Sequence, residues 1–335
     1  MKVNSKWTRR GVAALAALTV ISALAGCSKG EQESGSKDSN VLNIGGYDVS
    51  AEEYNYYFLN EKYNMDGGDD SFWASATDEQ KDLKSRAEEG LKEFYAMKKL
   101  ADEAGIPSDG QLAEDVDTEI ANLKEQFGGE EAFNQILASN YMSPELYRML
   151  SLESLRSIEL FKSTMGEEIK KTLPERYLRA AHILISFNES AVDTEADHEE
   201  AKKRAEDVLA KVEAGEDFFK LVEEYGEDPG MVDNLDGYYF TEGQMVEPFY
   251  QGALALKEGE TSGLVETDYG YHIIKRLPME DAYIEENLMT FATQETYDAF
   301  MAKVDEVIGS MEIQQGGAYD SISLENTLKE NEKNS

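Results

Sequence analysis

Two of the three histidines fall on strand-like runs. His182 sits in Arg179-Ala-Ala-His-Ile-Leu-Ile185, and His272 in Tyr269-Gly-Tyr-His-Ile-Ile274. His198 lies instead on a charged helical stretch and reads as a solvated surface residue. Three histidines leave little for a zinc site, and a single cysteine removes any intrachain disulfide framework. No Gly-rich phosphate loop of the Walker type occurs. A lone strand histidine is ordinarily a satisfied core residue. Asp228 precedes Pro229 in a loop, where Asp serves turns. Met245 and Phe249 have plain core as their alternative reading. Any chemistry must therefore come from these groups acting together.

The elements that would carry them follow from pattern. Arg179–Ile185 predicts a strand, and residues 195–214 a charged helix with Ala201, Ala205, Val208, Leu209 and Val212 on one face. Asp217-Phe218 starts another helix, followed by the loop Tyr225–Gly230, a strand candidate Gly237–Phe240 and a short helix at 253–256. Val265–Ile274 predicts one closing strand. This makes a small α+β unit of about 100 residues.

The flanks have a different texture. Val41–Ile44 predicts a short strand, and Ser50 with Glu53 a capping box that starts a helix over 51–65. Thr77 with Gln80 predicts a second capping box, for a helix with Leu83, Ala87, Leu91 and Phe94 inward. Further helices follow: one with Leu112, Val116, Ile120, Leu123 and Phe127 on its stripe, one over 130–139, and a long one opened by Ser143-Pro144. A helix over about 281–310 is too isolated to stand alone, so it is expected to pack on the N-terminal helices, with Met311–Ile313 pairing with Val41–Ile44. Residues 314–335 read as a polar, frayed tail. The stripes fit first the core of a helical domain; the sharper reading, that some faces line an open cradle for unfolded chains, is not separated from it by periodicity.

The 335 residues carry 32 Lys+Arg against 68 Asp+Glu, a net charge of −36, with 41% hydrophobic and 10% aromatic residues. That supports real cores and excludes generic nucleic-acid binding, which needs a positive surface. At the N-terminus Lys2, Lys6, Arg9 and Arg10 precede the uncharged run 11–25. The run is shorter than the ~20 residues that span a bilayer, and predicts a signal peptide. Leu24-Ala25-Gly26-Cys27 resembles a lipoprotein signal box, which makes the only cysteine, Cys27, the lipidated first residue of the mature chain. Loss of four basic residues takes the charge from −36 to −40. Residues 28–40 are Ser, Gly and charge, a flexible tether. The expected location is the extracytoplasmic face of the cell membrane, where ATP is scarce.

In order, His182-Ile-Leu-Ile, Gly215-Glu-Asp-Phe218, Gly243-Gln-Met-Val-Glu-Pro-Phe249 and Tyr269-Gly-Tyr-His-Ile-Ile274 resemble a parvulin-type peptidyl-prolyl cis/trans isomerase. The whole layout resembles the PrsA-type foldase lipoproteins. The resemblance implies an α+β fold: a parvulin-like small antiparallel sheet with surrounding helices, inserted in a mostly helical SurA/PrsA-like chaperone domain. The expected divisions are a signal peptide at 1–26, a tether at 27–40, the helical domain at 41–173, the isomerase domain at 174–278, a returning helix at 279–313 and a tail at 314–335. It also implies a catalytic set of His182, Asp228, Thr267 and His272, and a proline pocket of Met245, Phe249 and Phe240, with no cofactor and no metal.

The implied activity is rotation about X–Pro bonds in exported polypeptides, assisting their folding. Acidic surroundings, including Glu227, Asp233, Asp236, Glu242 and Glu247, argue against phosphorylated substrates. One run departs from the family. Where Gly-Gly-x-Leu-Gly-x-Phe is usual, this chain has Asn234-Leu-Asp-Gly-Tyr-Tyr-Phe240, without a counterpart for the pocket Leu. The alternative reading is a holdase with a catalytically weak or inactive parvulin domain. A homodimer is one assembly the helical parts would allow. A solute-binding lipoprotein would need two α/β lobes of similar size, which the helix-rich flanks oppose.

Overall fold

The computed structural model describes residues 40–187, 195–232 and 234–334. The signal run, Cys27 and the tether up to residue 39 lie outside these, as does Asp233. The described residues form two compact units: one up to residue 165 and from 294 onward, the other residues 166–293. Among the described residues no helix is long and apolar enough to cross a membrane.

The first unit opens with strands β1 (Asn40–Ile44) and β2 (Tyr47–Ser50), an antiparallel pair joined by Gly45-Gly46. Helix α1 (Ala51–Asp66) follows directly, with Ser50 Oγ accepting the Glu53 amide at 3.1 Å. A 3₁₀ turn over Asp70–Ala74 is tied back to it, because Trp73 Nε1 donates to Asp66 Oδ2 (2.6 Å). After Thr77 only the single turn α2 (Asp78–Lys81) forms. The long helix α3 (Leu83–Glu103) has its own cap, Asp82, whose carboxylate accepts the Ser85 amide at 3.2 Å. Three more helices follow: α4 (Gln111–Gln126), α5 (Glu130–Ser139) and α6 (Pro144–Arg176). Ser143 Oγ accepts the Leu146 amide at the start of the last.

The core of this unit is mixed. Leu91, Phe133, Leu137 and Tyr54 are buried, and so is Arg156, which is 1% exposed and centres an ionic network. Its guanidinium donates to Glu153 (2.7 Å), Asp102 (2.5 Å) and the Ile106 carbonyl (2.7 Å), and Lys98 pairs with Glu153. A buried guanidinium persists only when its donors are matched in this way.

The second unit holds a four-stranded antiparallel sheet in the order β4-β3-β6-β5. Its strands are β3 (Leu178–Ser186), β4 (Tyr238–Phe240), β5 (Thr261–Thr267) and β6 (Gly270–Arg276). The single closing strand expected over 265–274 is therefore a hairpin that turns at Asp268-Tyr269. Gly270 makes this possible. Its φ is +145°, and a Cβ there would lie 2.2 Å from the Ile185 carbonyl oxygen.

On one sheet face pack α7 (Glu195–Glu213), α8 (Phe218–Tyr225) and the turn α9 (Pro229–Val232), over Ala181, Ile183, Ile185, Tyr271 and Ile273. The other face is covered by α10 (Glu247–Leu254). That helix starts six residues earlier than the pattern predicts, because Pro248 sits in its first turn, where a missing N–H costs nothing. His198 is half-buried, stacked on Phe187 at 3.7 Å, and is not the solvated residue expected.

The expected helix over 281–310 is three: α11 (Asp281–Glu286), α12 (Leu288–Phe291) and α13 (Gln294–Ser310). The first two belong to the second unit. The third packs in the first unit, with Phe300 against Phe161 (5.2 Å), and leads into β7 (Ile313–Gln315), which pairs with β1 at Ile44↔Ile313. The tail is not frayed. Lys84 lies over the Tyr319 ring (3.8 Å), Tyr319 Oη donates to Glu88 (2.5 Å), and α14 (Leu324–Asn334) follows. An aromatic anchor in a polar segment is what the composition concealed.

Candidate functional site

Strand alternation decides what faces α10. On β3 the residues Leu178, Ala180, His182 and Leu184 share one face, and on β6 so do Gly270, His272, Ile274 and Arg276. The register pairs His182 with Ile274 and Leu184 with His272, so the two imidazoles are diagonal neighbours. Their ring centroids are 5.0 Å apart. Phe249, from the first turn of α10, closes a triangle over them at 5.2 Å from His182 and 5.3 Å from His272. Phe240 on β4 stands 5.7 Å from Phe249, and Met245 packs half-buried on the same cluster. All three rings of the triangle are buried, with His182 6% and His272 5% exposed.

Polar groups stand at either end of this patch. Thr267 Oγ1 and His272 Nε2 share a hydrogen bond of 3.0 Å, and the Tyr269 amide donates to the same hydroxyl at 3.1 Å. Asp228 Oδ2 lies 3.1 Å from His182 Nε2, near enough to attract but off the hydrogen-bond axis. His182 beside it, with the Gly230 and Met231 amides, holds the Asp228 carboxyl below the usual carboxylate range. Burial, then the neighbouring His182, pushes His272 down to about 3, against the weaker opposing pull of Asp228. At neutral pH His272 is an uncharged ring. The structure thus brings His182, Asp228, Thr267, His272, Phe240, Met245 and Phe249 to one place. The patch is apolar at its centre, with a hydroxyl at one end and an anion at the other, and offers no activated nucleophile.

Two contributors were missed by reading motifs alone. Tyr238 shares the site face with Phe240, stands opposite Ala180, and its ring is 6.2 Å from His182. The two-residue period of the strand would have identified it. Leu235, from the departing run, packs on the opposite sheet face, and Tyr238 is the side chain of that run, beside Phe240, that borders the site. The intervening Tyr239 points the other way and stacks on Tyr283 at 4.5 Å, while its hydroxyl accepts the Glu280 amide.

Glu227 is the second. Its carboxylate accepts from the Ser186 amide (2.7 Å) and hydroxyl (2.6 Å) and pairs with Arg204, and its own amide donates to the Leu184 carbonyl (2.9 Å). These bonds clamp the Asp228 loop to the end of β3. Only the pairing of distant segments reveals this.

Residues 163–278 match the family described as PPIC-type PPIASE domain, and residues 1–157 the SurA-like N-terminal domain. The chain is 36% identical over 169 residues to Foldase protein PrsA of Geobacillus kaustophilus, covering 48% of this chain and 53% of that one. It is 26% identical over 287 residues to Foldase protein PrsA of Halalkalibacterium halodurans, covering 82% and 74%. The chain spans about half the length of the first curated relatives it matches. A solved structure of PrsA from Bacillus subtilis aligns over 82% of this chain and 92% of its own at 22% identity, with a TM-score of 0.28. So low a score gives that likeness no structural weight.

The depressed His272 pKa makes stability depend on pH. Unfolded, His272 has a pKa of about 6.5; folded, about 3. Between these values the unfolded chain binds one more proton, so the contribution is complete above about pH 6.5 and is lost as pH falls. Going from about pH 7.5 to about pH 5 is expected to cost about 2 kcal/mol through this group. Urea unfolding of the wild type and of His272→Gln at both pH values checks this. The variant should lose that share of the pH dependence, and equal slopes would contradict it.

Proposed function

We propose that this chain, which carries a PPIC-type PPIase domain behind a SurA-like N-terminal domain, is an extracytoplasmic foldase that rotates X–Pro bonds in exported polypeptides. The observation that supports this most is the buried triangle of His182, His272 and Phe249, with Thr267 and Asp228 at its ends.

Amide rotation breaks no bond. Its barrier of ~18–20 kcal/mol is resonance, which the twisted amide lacks. A site that holds the proline ring and favours the less polar twisted form lowers that barrier. Met245, Phe249 and Phe240 supply the apolar grip on the ring. His272 supplies a neutral, hydrogen-bonded floor, since a charged imidazole there would favour the planar, polar amide. Asp228 and Thr267 hold the two rings in place from opposite ends. Rotation needs no bond to break, so binding geometry carries the rate; uncatalysed exchange takes tens to hundreds of seconds.

Lipidation at Cys27 would hold this machinery at the membrane. A lipidated cysteine bearing two acyl chains anchors stably, whereas one chain binds only marginally.

The full chain is expected to accelerate the slow, proline-limited refolding phase of a client. His272→Ala, with its fold retained by circular dichroism, should lower kcat/KM about tenfold, or about 1.4 kcal/mol. An unchanged rate would remove His272 from the mechanism, and a wild-type chain that leaves the slow phase untouched would end the isomerase reading. Cys27→Ser should move the protein from the membrane fraction to the soluble fraction of cells. Continued membrane retention would contradict the lipid anchor.

A further inference from the structure

Tyr238 takes no part in gripping the proline ring, yet the fold holds it at the same site. It lies on β4 two residues from Phe240 and on the same face, opposite Ala180 of β3. Two strand residues span about 7 Å, so a group bound next to Phe240 reaches it. β4 is the edge of the sheet, and the half-buried Tyr238 ring packs on the apolar clusters of both sheet faces. Its hydroxyl stands over Gly230, 2.6 Å from where a Cβ would be, so a glycine there makes room for it. Asp228 Oδ1 lies 3.3 Å from the same point, which makes the Tyr238 hydroxyl and the Asp228 carboxylate close neighbours.

Asp228 is the charge at this edge. Oδ1 accepts the Gly230 amide at 3.0 Å and Oδ2 lies 3.1 Å from His182 Nε2, which leaves acceptor capacity on the carboxylate. Its side chain is 27% exposed. His182 beside it keeps the carboxyl ionised at neutral pH. The adjacent Glu227 is paired with Arg204, whereas among the described residues no lysine or arginine pairs with Asp228. An aromatic ring beside a partly exposed carboxylate is a combination that attracts a cation, through the negative face of the ring and the full charge of the anion. The opposite edge of the site offers no such pair, because the Thr267 hydroxyl is neutral and committed to His272 and the Tyr269 amide.

We propose that Tyr238 and Asp228 form a subsite for the residue that precedes proline, and that they select Arg or Lys there. The inference rests on the isomerase reading and names its substrate class. The proline ring sits among Met245, Phe249 and Phe240, and the rotating amide lies over the two imidazoles. The preceding residue carries the carbonyl of that amide, and its side chain leaves past His182 toward Tyr238, whose ring is 6.2 Å from the imidazole. A guanidinium or ammonium group there covers the Tyr238 ring and donates to Asp228. An acidic residue meets the anion instead, and the net charge of −36 adds to its exclusion. Tyr238 belongs to the run in which this chain departs from the family pattern, so the preference is a property of this chain.

The test uses the full chain and short unstructured peptides with one proline, followed by exchange NMR of the cis and trans proline signals. The residue before proline is arginine, citrulline, alanine or glutamate; citrulline keeps the shape of arginine without its charge. The arginine peptide should be isomerised with a kcat/KM about fivefold above citrulline and about tenfold above glutamate. Tyr238→Leu keeps an apolar side chain without the ring, and should bring the arginine-to-citrulline ratio to about twofold or less. A purely structural Tyr238 would slow all four peptides alike and leave the ratio unmoved. Should Tyr238→Leu fail to fold, the wild-type ratio and its decline at raised salt decide. Equal rates for arginine and citrulline, a folded Tyr238→Leu with an undiminished ratio, or a preference that arises only when arginine follows proline would each overturn the proposal. Acceleration of every peptide without an arginine preference overturns this inference alone, whereas no acceleration of any peptide overturns the isomerase reading beneath it.

Discussion

Two imidazoles on adjacent antiparallel strands, one residue pair out of step, must share the same buried space. The β3–β6 register imposes this on His182 and His272, and much of the site follows from it. Two charged imidazoles at a centroid separation of 5.0 Å would repel in a poorly solvated place. His272, the one bonded to a neutral hydroxyl, stays uncharged, while the anion Asp228 stands against His182. Phe249 can cover both rings because the pair is compact and apolar at its centre.

The surrounding elements keep this register in place. Gly270 allows β6 to begin against the β3 backbone directly after the turn that carries the Thr267 hydroxyl. The Glu227 clamp fixes the Asp228 loop to the same end of β3. The core on the other sheet face, with Ala201 and Ala205 of α7 close on Ile183 and Ile273, leaves the strands little freedom to slip. In the first unit the analogous role falls to a polar network around Arg156, not to a hydrocarbon core alone.

The family resemblance, carried by runs of distinctive composition, named the residues that gather at the site; their spacing alone did not assign them. It did not reveal the hairpin at Asp268-Tyr269, since Thr267 to Ile274 reads as continuous β-prone sequence and only Gly270 marks the turn. Pro248 stands in the first turn of α10, ahead of the short helix expected at 253–256. Tyr238 was overlooked because its neighbour Tyr239 has the same chemistry and only strand phase separates them. Periodicity does not mark the breaks at Asn287 and Thr293, and the docking of Tyr319 depends on Lys84 and Glu88, far away in sequence.

The central claim is that His272 is a neutral ring held to Thr267 beneath Phe249. Nitrogen-15 NMR of the imidazole side chains, followed from about pH 8 to about pH 4, observes that ring directly. The account predicts that the His272 signals stay those of a single neutral tautomer across the range. A His272 that takes up a proton near its ordinary pKa of about 6.5 would contradict it.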